Sequence, residues 1–248
     1  NFDNARTGAG YWFQGRMVKA RNNVAASTRT GYVFMHRGST VGDHTDATIG
    51  MLPFEAAITD FPDVLSRGEG RPVGTPSVPI TGFDSNETFA SKEGLHVVKA
   101  NPKQRHDAHT HLSNFTAWNV VSGAHLEYTA HYVLEDFDVV AIQERRQFVG
   151  PRTGISIGNN ATEMNIINPR VEGFPTGINL NHGFTFEEVP RHHHVVNAQM
   201  INNETDFELP SDDSIQTLDS LEDDQFSLSF DTEVYSDRTV AVTGQKID

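Results

Sequence analysis

The sequence predicts an all-β fold of the parallel β-helix class, a solenoid with loop insertions along one edge. Three observations predict it: a glycine-led strand that recurs six times, an Asn or Asp marker that keeps step with it, and a minimal period of 21 residues, from Gly10 to Gly31. The glycine-led copies are Gly10-Tyr-Trp-Phe13, Gly31-Tyr-Val-Phe34, Gly94-Leu-His-Val97, Gly123-Ala-His-Leu126, Gly154-Ile-Ser-Ile157 and Gly177-Ile-Asn-Leu180. In a strand, alternate residues face the same side. Tyr11, Tyr32, Leu95, Ala124, Ile155 and Ile178 therefore form one inward row, and Phe13, Phe34, Val97, Leu126, Ile157 and Leu180 the next.

The second marker opens another apolar strand at Asn23, Asn86, Asn114, Asp136, Asn168 and Asn197, 8 or 9 residues before the following glycine in four of the copies. Stacked asparagines of successive circuits can hydrogen-bond as a ladder. A period of 21 residues suits three short strands and three turns and is too short for a βαβ unit of roughly 30. Four insertions interrupt the pattern. Those at residues 38–82, 101–112 and 182–193 leave from the corner after the glycine-led strand, and the first carries a stretch with helical character at Pro53 to Leu65. The fourth, at 143–153, leaves from a different corner.

Composition narrows the class of function. The chain has 33 acidic and 19 basic residues, a net charge of −14 and no cysteine. Such a charge repels nucleic acid and anionic membranes, no run is long enough for a membrane span, and disulfide and thiolate chemistry are excluded. Beyond Asn203 the repeat fades into an acidic segment, leaving a division into a β-helix over 1–207 and an acidic β extension, cap or further module over 208–248. Its clustered carboxylates leave room for weak calcium binding. No capping element precedes Gly8, so the native protein is expected to extend further.

The segments Gly8-Ala-Gly-Tyr-Trp-Phe13, Asn22-Asn-Val-Ala-Ala26 and Phe115-Thr-Ala-Trp118, with the repeat that carries them, resemble the pectin-lyase-like superfamily. Within it they are most similar to large secreted bacterial proteins related to the extracellular hyaluronan-degrading family. The resemblance covers roughly residues 8 to 205 and implies a right-handed β-helix in a secreted or cell-surface protein. It carries no single activity, since the superfamily holds lyases, hydrolases, epimerases and adhesins.

Histidine is the candidate chemistry. Of the 12 histidines, only His131 lies away from the edge defined by the three same-corner insertions. The outward positions of the glycine-led strand read Trp12, Val33, His96, His125, Ser156 and Asn179, and then include Glu127. Neighbouring strands lie ~4.8 Å apart, so His96 and His125 should touch. The groove expected here has His125, Glu127, Tyr128 and Lys99 as catalytic residues and Trp12, His96, Arg105, His36, Arg37 and His182 as substrate-binding residues. Lys99 and Arg105 would neutralise a sugar carboxylate while His125 or Tyr128 exchanges protons. His109 with His111, and His192 with His194, are weaker metal candidates, because no carboxylate sits at a fixed offset from them; the run His192 to His194 reads as an exposed loop. The function expected is processing of a carbohydrate polymer, including uronate-containing ones, by lyase, epimerase or hydrolase chemistry. The alternative is a non-catalytic glycan-binding or adhesive solenoid.

Overall fold

A computed structural model describes residues 8–13, 18–35, 51–52, 73–74, 79–98, 109–142, 152–159, 161–180, 191–208, 226–233 and 242–243. Among these residues the protein is all-β, and its strands pair in parallel in stacked sheets. The exception is a short antiparallel pair, β5 (Met51–Leu52) with β6 (Val73–Gly74). No described helix is long and apolar enough to cross a membrane. The stretch Pro53 to Leu65 lies outside the described residues.

The first sheet consists of the glycine-led strands and their continuation: β1 (Ala9–Phe13), β4 (Thr30–Met35), β9 (Glu93–Val98), β12 (Ser122–Glu127), β15 (Thr153–Ile157), β18 (Thr176–Asn179), β20 (Thr205–Glu208) and β22 (Val242–Thr243). Between successive members the chain runs through a second sheet, which has two columns of strands. One column contains β2 (Lys19–Arg21), β7 (Gly82–Asp84), β10 (Thr110–Ser113), β13 (Ala130–Glu135) and β16 (Thr162–Ile167). The other contains β3 (Val24–Ala26), β8 (Glu87–Phe89), β11 (Thr116–Val120), β14 (Asp138–Ala141) and β17 (Arg170–Glu172). The long strand β19 (Arg191–Ile201) closes both columns, pairing with β16 through its first half and β17 through its second. β21 (Phe226–Glu233) pairs with β19 and β22 with β20, so the described residues after 208 add to the same two sheets.

The register follows the repeat. Tyr11 pairs with Tyr32, Tyr32 with Leu95, Leu95 with Ala124, Ala124 with Ile155 and Ile155 with Ile178. The predicted inward rows from Tyr32 to Ile178 and from Phe34 to Leu180 are buried, and Tyr11 and Phe13 pack against them at one end. Aromatic rings fill the first circuits: Tyr32 meets Phe83 edge-on at 5.4 Å, Phe83 meets Phe115 at 5.5 Å, and Phe115 meets Phe137 at 5.3 Å.

The glycines have a steric cause. A Cβ on Gly94 would lie 2.4 Å from the Gly123 carbonyl oxygen, one on Gly123 2.3 Å from that of Gly154, and one on Gly154 2.3 Å from Val171 Cγ1. Inward side chains of the β3-to-β17 column press on the backbone of the first sheet at this row. In β9 and β12 the glycine and the residue after it are both buried, so the residue before the glycine faces outward beside the one two places after it.

The second marker needs a correction in register. The corner between the two columns of the second sheet is occupied by Asn22, Ser85, Asn114, Asp136, Asn168 and Asn197, all with φ between 50° and 54°. The markers of the first two circuits are thus Asn22 and Ser85, one residue ahead of Asn23 and Asn86. With this shift the corner stands nine residues before Gly31, Gly94, Gly123, Gly177 and Asp206, the last of which follows Gly177 in the same row. Asn and Asp tolerate the left-handed conformation better than other side-chain-bearing residues. Side-chain bonds run between neighbours where the types permit: Asn114 Nδ2 donates to Asp84 Oδ1 at 2.8 Å, Asn168 Nδ2 to Asp136 Oδ1 at 3.0 Å and Asn197 Nδ2 to Asn168 Oδ1 at 2.9 Å. Asn23 and Asn86 instead point inward, Asn86 buried and donating to the Ala20 carbonyl at 2.7 Å.

Two kinds of core change should therefore destabilise the fold for opposite reasons. Phe34→Ala or Leu126→Ala should cost about 2–5 kcal/mol by leaving a cavity, and Gly123→Ala about 1–3 kcal/mol or more by overpacking. Melting or urea unfolding of the three variants checks this; wild-type stability in all three would mean that the rows are misread.

Candidate functional site

The outward column of the first sheet brings the predicted residues together through strand alternation and pairing. Trp12 pairs with Val33, Val33 with His96, His96 with His125 and His125 with Ser156. His125 and Glu127 are two residues apart on β12 and share its outer face, and His96 is their cross-strand neighbour on β9. The imidazole rings of His96 and His125 meet edge to face at 5.0 Å. His96 Nε2 and His125 Nε2 each lie 3.8 Å from a Glu127 carboxylate oxygen, and the three side chains are about a quarter exposed, at 25%, 28% and 24%.

A fourth residue completes the cluster. His96 Nδ1 donates to Glu93 Oε2 at 3.0 Å, and Thr30 Oγ1 donates to the same oxygen at 3.2 Å. Glu93 precedes Gly94, and it reaches His96 three residues on because of the paired inward residues Gly94 and Leu95. Burial disfavours the charged form of His96, but the carboxylates of Glu127 and Glu93 outweigh it and push its pKa up to about 9. The His125 and His96 side chains hold the Glu127 carboxyl down at about 2.

His96, His125 and Glu93 line a groove of about 290 Å³ on this face together with Arg29, Lys92 and Ser156. Arg29 and Lys92 stand two residues ahead of Gly31 and Gly94. Backbone bonds stack them in one row, the Glu93 amide donating to the Arg29 carbonyl at 2.9 Å and the Ser122 amide to that of Lys92 at 2.9 Å. These two cations and Glu93 are the site residues that the sequence reading missed. Their signal was the set of positions one and two residues before each glycine.

Other predicted residues fall elsewhere. Trp12 is 38% exposed on the same face, separated from His96 by Val33. Tyr128 sits at the turn after β12 with φ of 53°, its amide donating to the Asn159 carbonyl at 2.7 Å, and it does not line the groove. Lys99, Arg105, His36, Arg37 and His182 lie outside the described residues, as do most of the acidic residues considered for calcium. His192 to His194 are corrected from loop to strand: they belong to β19, where His193 is buried and His194 exposed. His111 lies on β10, bonded to Glu135 Oε2 at 2.7 Å, and His109 directly precedes that strand, 5.8 Å from the ring of His131. Among the described residues, the histidines of the expected edge are divided between two sheets.

Compared with known proteins, the chain matches no family model, no curated protein and no solved structure.

The cluster gives stability a worked pH dependence. His96 rises from its ordinary 6.5 to about 9, so its contribution is complete below pH 6.5 and is lost as pH rises through about 9. Glu127 falls from 4.5 to about 2, so its contribution is complete above pH 4.5 and is lost as pH falls through about 2. In metal-free buffer the melting temperature should hold between pH 4.5 and 6.5 and fall between pH 6.5 and 9. A His96→Gln variant that fell as steeply over that alkaline window would show that another group is responsible.

Proposed function

We propose that the two sheets form a right-handed parallel β-helix of the pectin-lyase-like kind, secreted or held at the cell surface, whose outer groove binds and processes an acidic carbohydrate polymer. The observation that carries this reading is the conjunction, on one open face, of the His96, His125 and Glu127 cluster with two stacked cations, Arg29 and Lys92. A polymer with a net negative charge is disfavoured by a protein of net charge −14 unless cations concentrate where it binds. Arg29, Lys92 and a protonated His96 supply that local reversal and suit a uronate carboxylate.

Proton abstraction beside such a carboxylate, followed by elimination or epimerisation, needs a base and a charge-stabilising group within reach. In this reading His125 exchanges the proton and Glu127 orients its ring. Hydrolysis by two carboxylates flanking a bond is less well supported, because the carboxyls of Glu93 and Glu127 are both engaged by the histidines.

A second reading has its own observation. On the outer face of the other sheet Phe89 and Trp118 stack at 4.5 Å and 13°, and Trp118, 40% exposed, donates from Nε1 to Glu87 Oε1 at 2.6 Å. A flat aromatic platform held in place suits sugar stacking without catalysis, as in a glycan-binding adhesin.

The two readings separate in one experiment. The purified protein is screened against neutral and uronate polysaccharides for binding and for unsaturated or shortened products, with His125→Ala, Lys92→Ala and Trp118→Ala beside it. The enzyme reading expects uronate selectivity, weaker binding in Lys92→Ala and a rate loss of ~10²–10⁴-fold in His125→Ala. Binding without products, abolished only in Trp118→Ala, would replace it by the adhesin.

A further inference from the structure

We propose that His96 Nε2, His125 Nε2 and the Glu127 carboxylate form a binding site for a divalent transition-metal ion of the zinc class, with one coordination position open to the groove. This goes beyond the polymer reading and does not depend on it; in the metal-bound chain His125 is a ligand, and its proton-exchanging role belongs to the metal-free chain.

Geometry carries the assignment. The candidate ligand atoms of the three residues all lie within 4.8 Å of one another, and both imidazole-to-carboxylate separations are 3.8 Å. Around zinc, with bonds of about 2.0–2.1 Å, tetrahedral ligand atoms stand about 3.4 Å apart. Rotamer adjustments of a fraction of an ångström to somewhat over one would close the set. The donors fit the class: two imidazole nitrogens with one carboxylate suit zinc, iron(II), cobalt, nickel or copper, whereas calcium and magnesium take oxygen.

Two further observations point to an ion. His96 Nε2 is buried from solvent and has no hydrogen-bond partner, while the opposite ring nitrogen is fixed by Glu93. A carboxylate accepts only from a protonated nitrogen, so Glu93 keeps Nδ1 protonated, and it is Nε2, facing Glu127, that gives up its proton to an arriving ion. Thr30 holds the Glu93 carboxylate in turn. This is the carboxylate–histidine–metal relay that orients metal ligands. Beside the cluster Gly158 has no side chain, and a Cβ there would meet His125 Cε1 at 3.0 Å, Glu127 Cβ at 3.1 Å and His125 Nε2 at 3.3 Å. A side chain at this position would crowd His125 and Glu127. A bound ion replaces the proton shared in the cluster and becomes the positive centre of the groove floor.

The test titrates the whole chain with Zn²⁺ by calorimetry and with Co²⁺ by its visible absorption. One ion per chain is expected. His96→Asn, His125→Asn and Glu127→Gln should each weaken binding by more than 100-fold and abolish the tetrahedral Co²⁺ bands. Glu93→Gln, a positioning change, should weaken it by about 10–100-fold with the bands retained, and His111→Ala should leave it unchanged. Melting curves in chelator check that each variant folds, and the polar Glu127→Gln and Glu93→Gln variants keep the test alive if a histidine variant does not. Binding of wild-type strength in the folded Glu127→Gln or His96→Asn variant, or weak binding lost equally in His111→Ala, overturns the site. Polysaccharide affinity measured in chelator reads the groove separately, so each proposal can fail alone.

Discussion

The structure depends on one close approach: inward side chains from the second sheet rest against the backbone of the first, where there is no room for a Cβ. Ala25, Thr88, Ala117, Val139, Val171 and Met200 press in turn on Gly10, Gly31, Gly94, Gly123, Gly154 and Gly177, at 2.3 to 3.0 Å from where a Cβ would stand. The contact sets the thickness of the molecule at that row and obliges the chain to spend two successive residues facing inward. The chemistry of the outer face is a by-product. Only because Gly94 and Leu95 both point in do Glu93 and His96 point out together, and only then can the carboxylate fix the imidazole.

At the opposite corner the backbone itself is the constraint. The turn between the two columns of the second sheet is a single left-handed residue, so its identity is restricted to those that tolerate φ near 50°. Its amide is used to bind the next circuit, as when Asn114 donates to the Glu135 carbonyl at 2.9 Å and Asp136 to that of Ile167 at 3.0 Å. A nine-residue arc then leads from corner to glycine row in five circuits, including the one that ends at Asp206, where the glycine is gone. The circuit from Asp136 to Gly154 is the exception, 18 residues long because the insertion at 143–153 falls inside it, and its glycine-led strand still pairs in register, Ala124 with Ile155 and Ile155 with Ile178.

Much of this was legible because period-two alternation survives after the glycine. The inward rows and the adjacency of His96, His125 and Glu127 follow from counting forward along strands of equal phase. Counting backward fails, because the doubled inward positions break the alternation, and so Glu93, Lys92 and Arg29 were passed over. The corner was misplaced where two polar residues stand in sequence, Asn22-Asn23 and Ser85-Asn86, since composition alone does not say which adopts the left-handed conformation and which turns inward. The strands carrying His111 and His192 to His194 overlap the predicted insertions because no glycine or capping residue marks where an insertion ends and a strand resumes.

The unequal lengths between circuits also order the assembly of the molecule in time. Contacts between β4 and β9 join residues 63 apart, whereas those linking the later circuits join residues 29 to 32 apart. Closing the longer span costs only about 0.6 kcal/mol more in chain entropy for each doubling, so the finished stack tolerates it. The search for that contact is nonetheless slower, since non-local pairings form late. By sequence separation alone, the pairing of β4 with β9 across 63 residues is the least local step in the stack, and it is the one that covers the His96 edge of the groove.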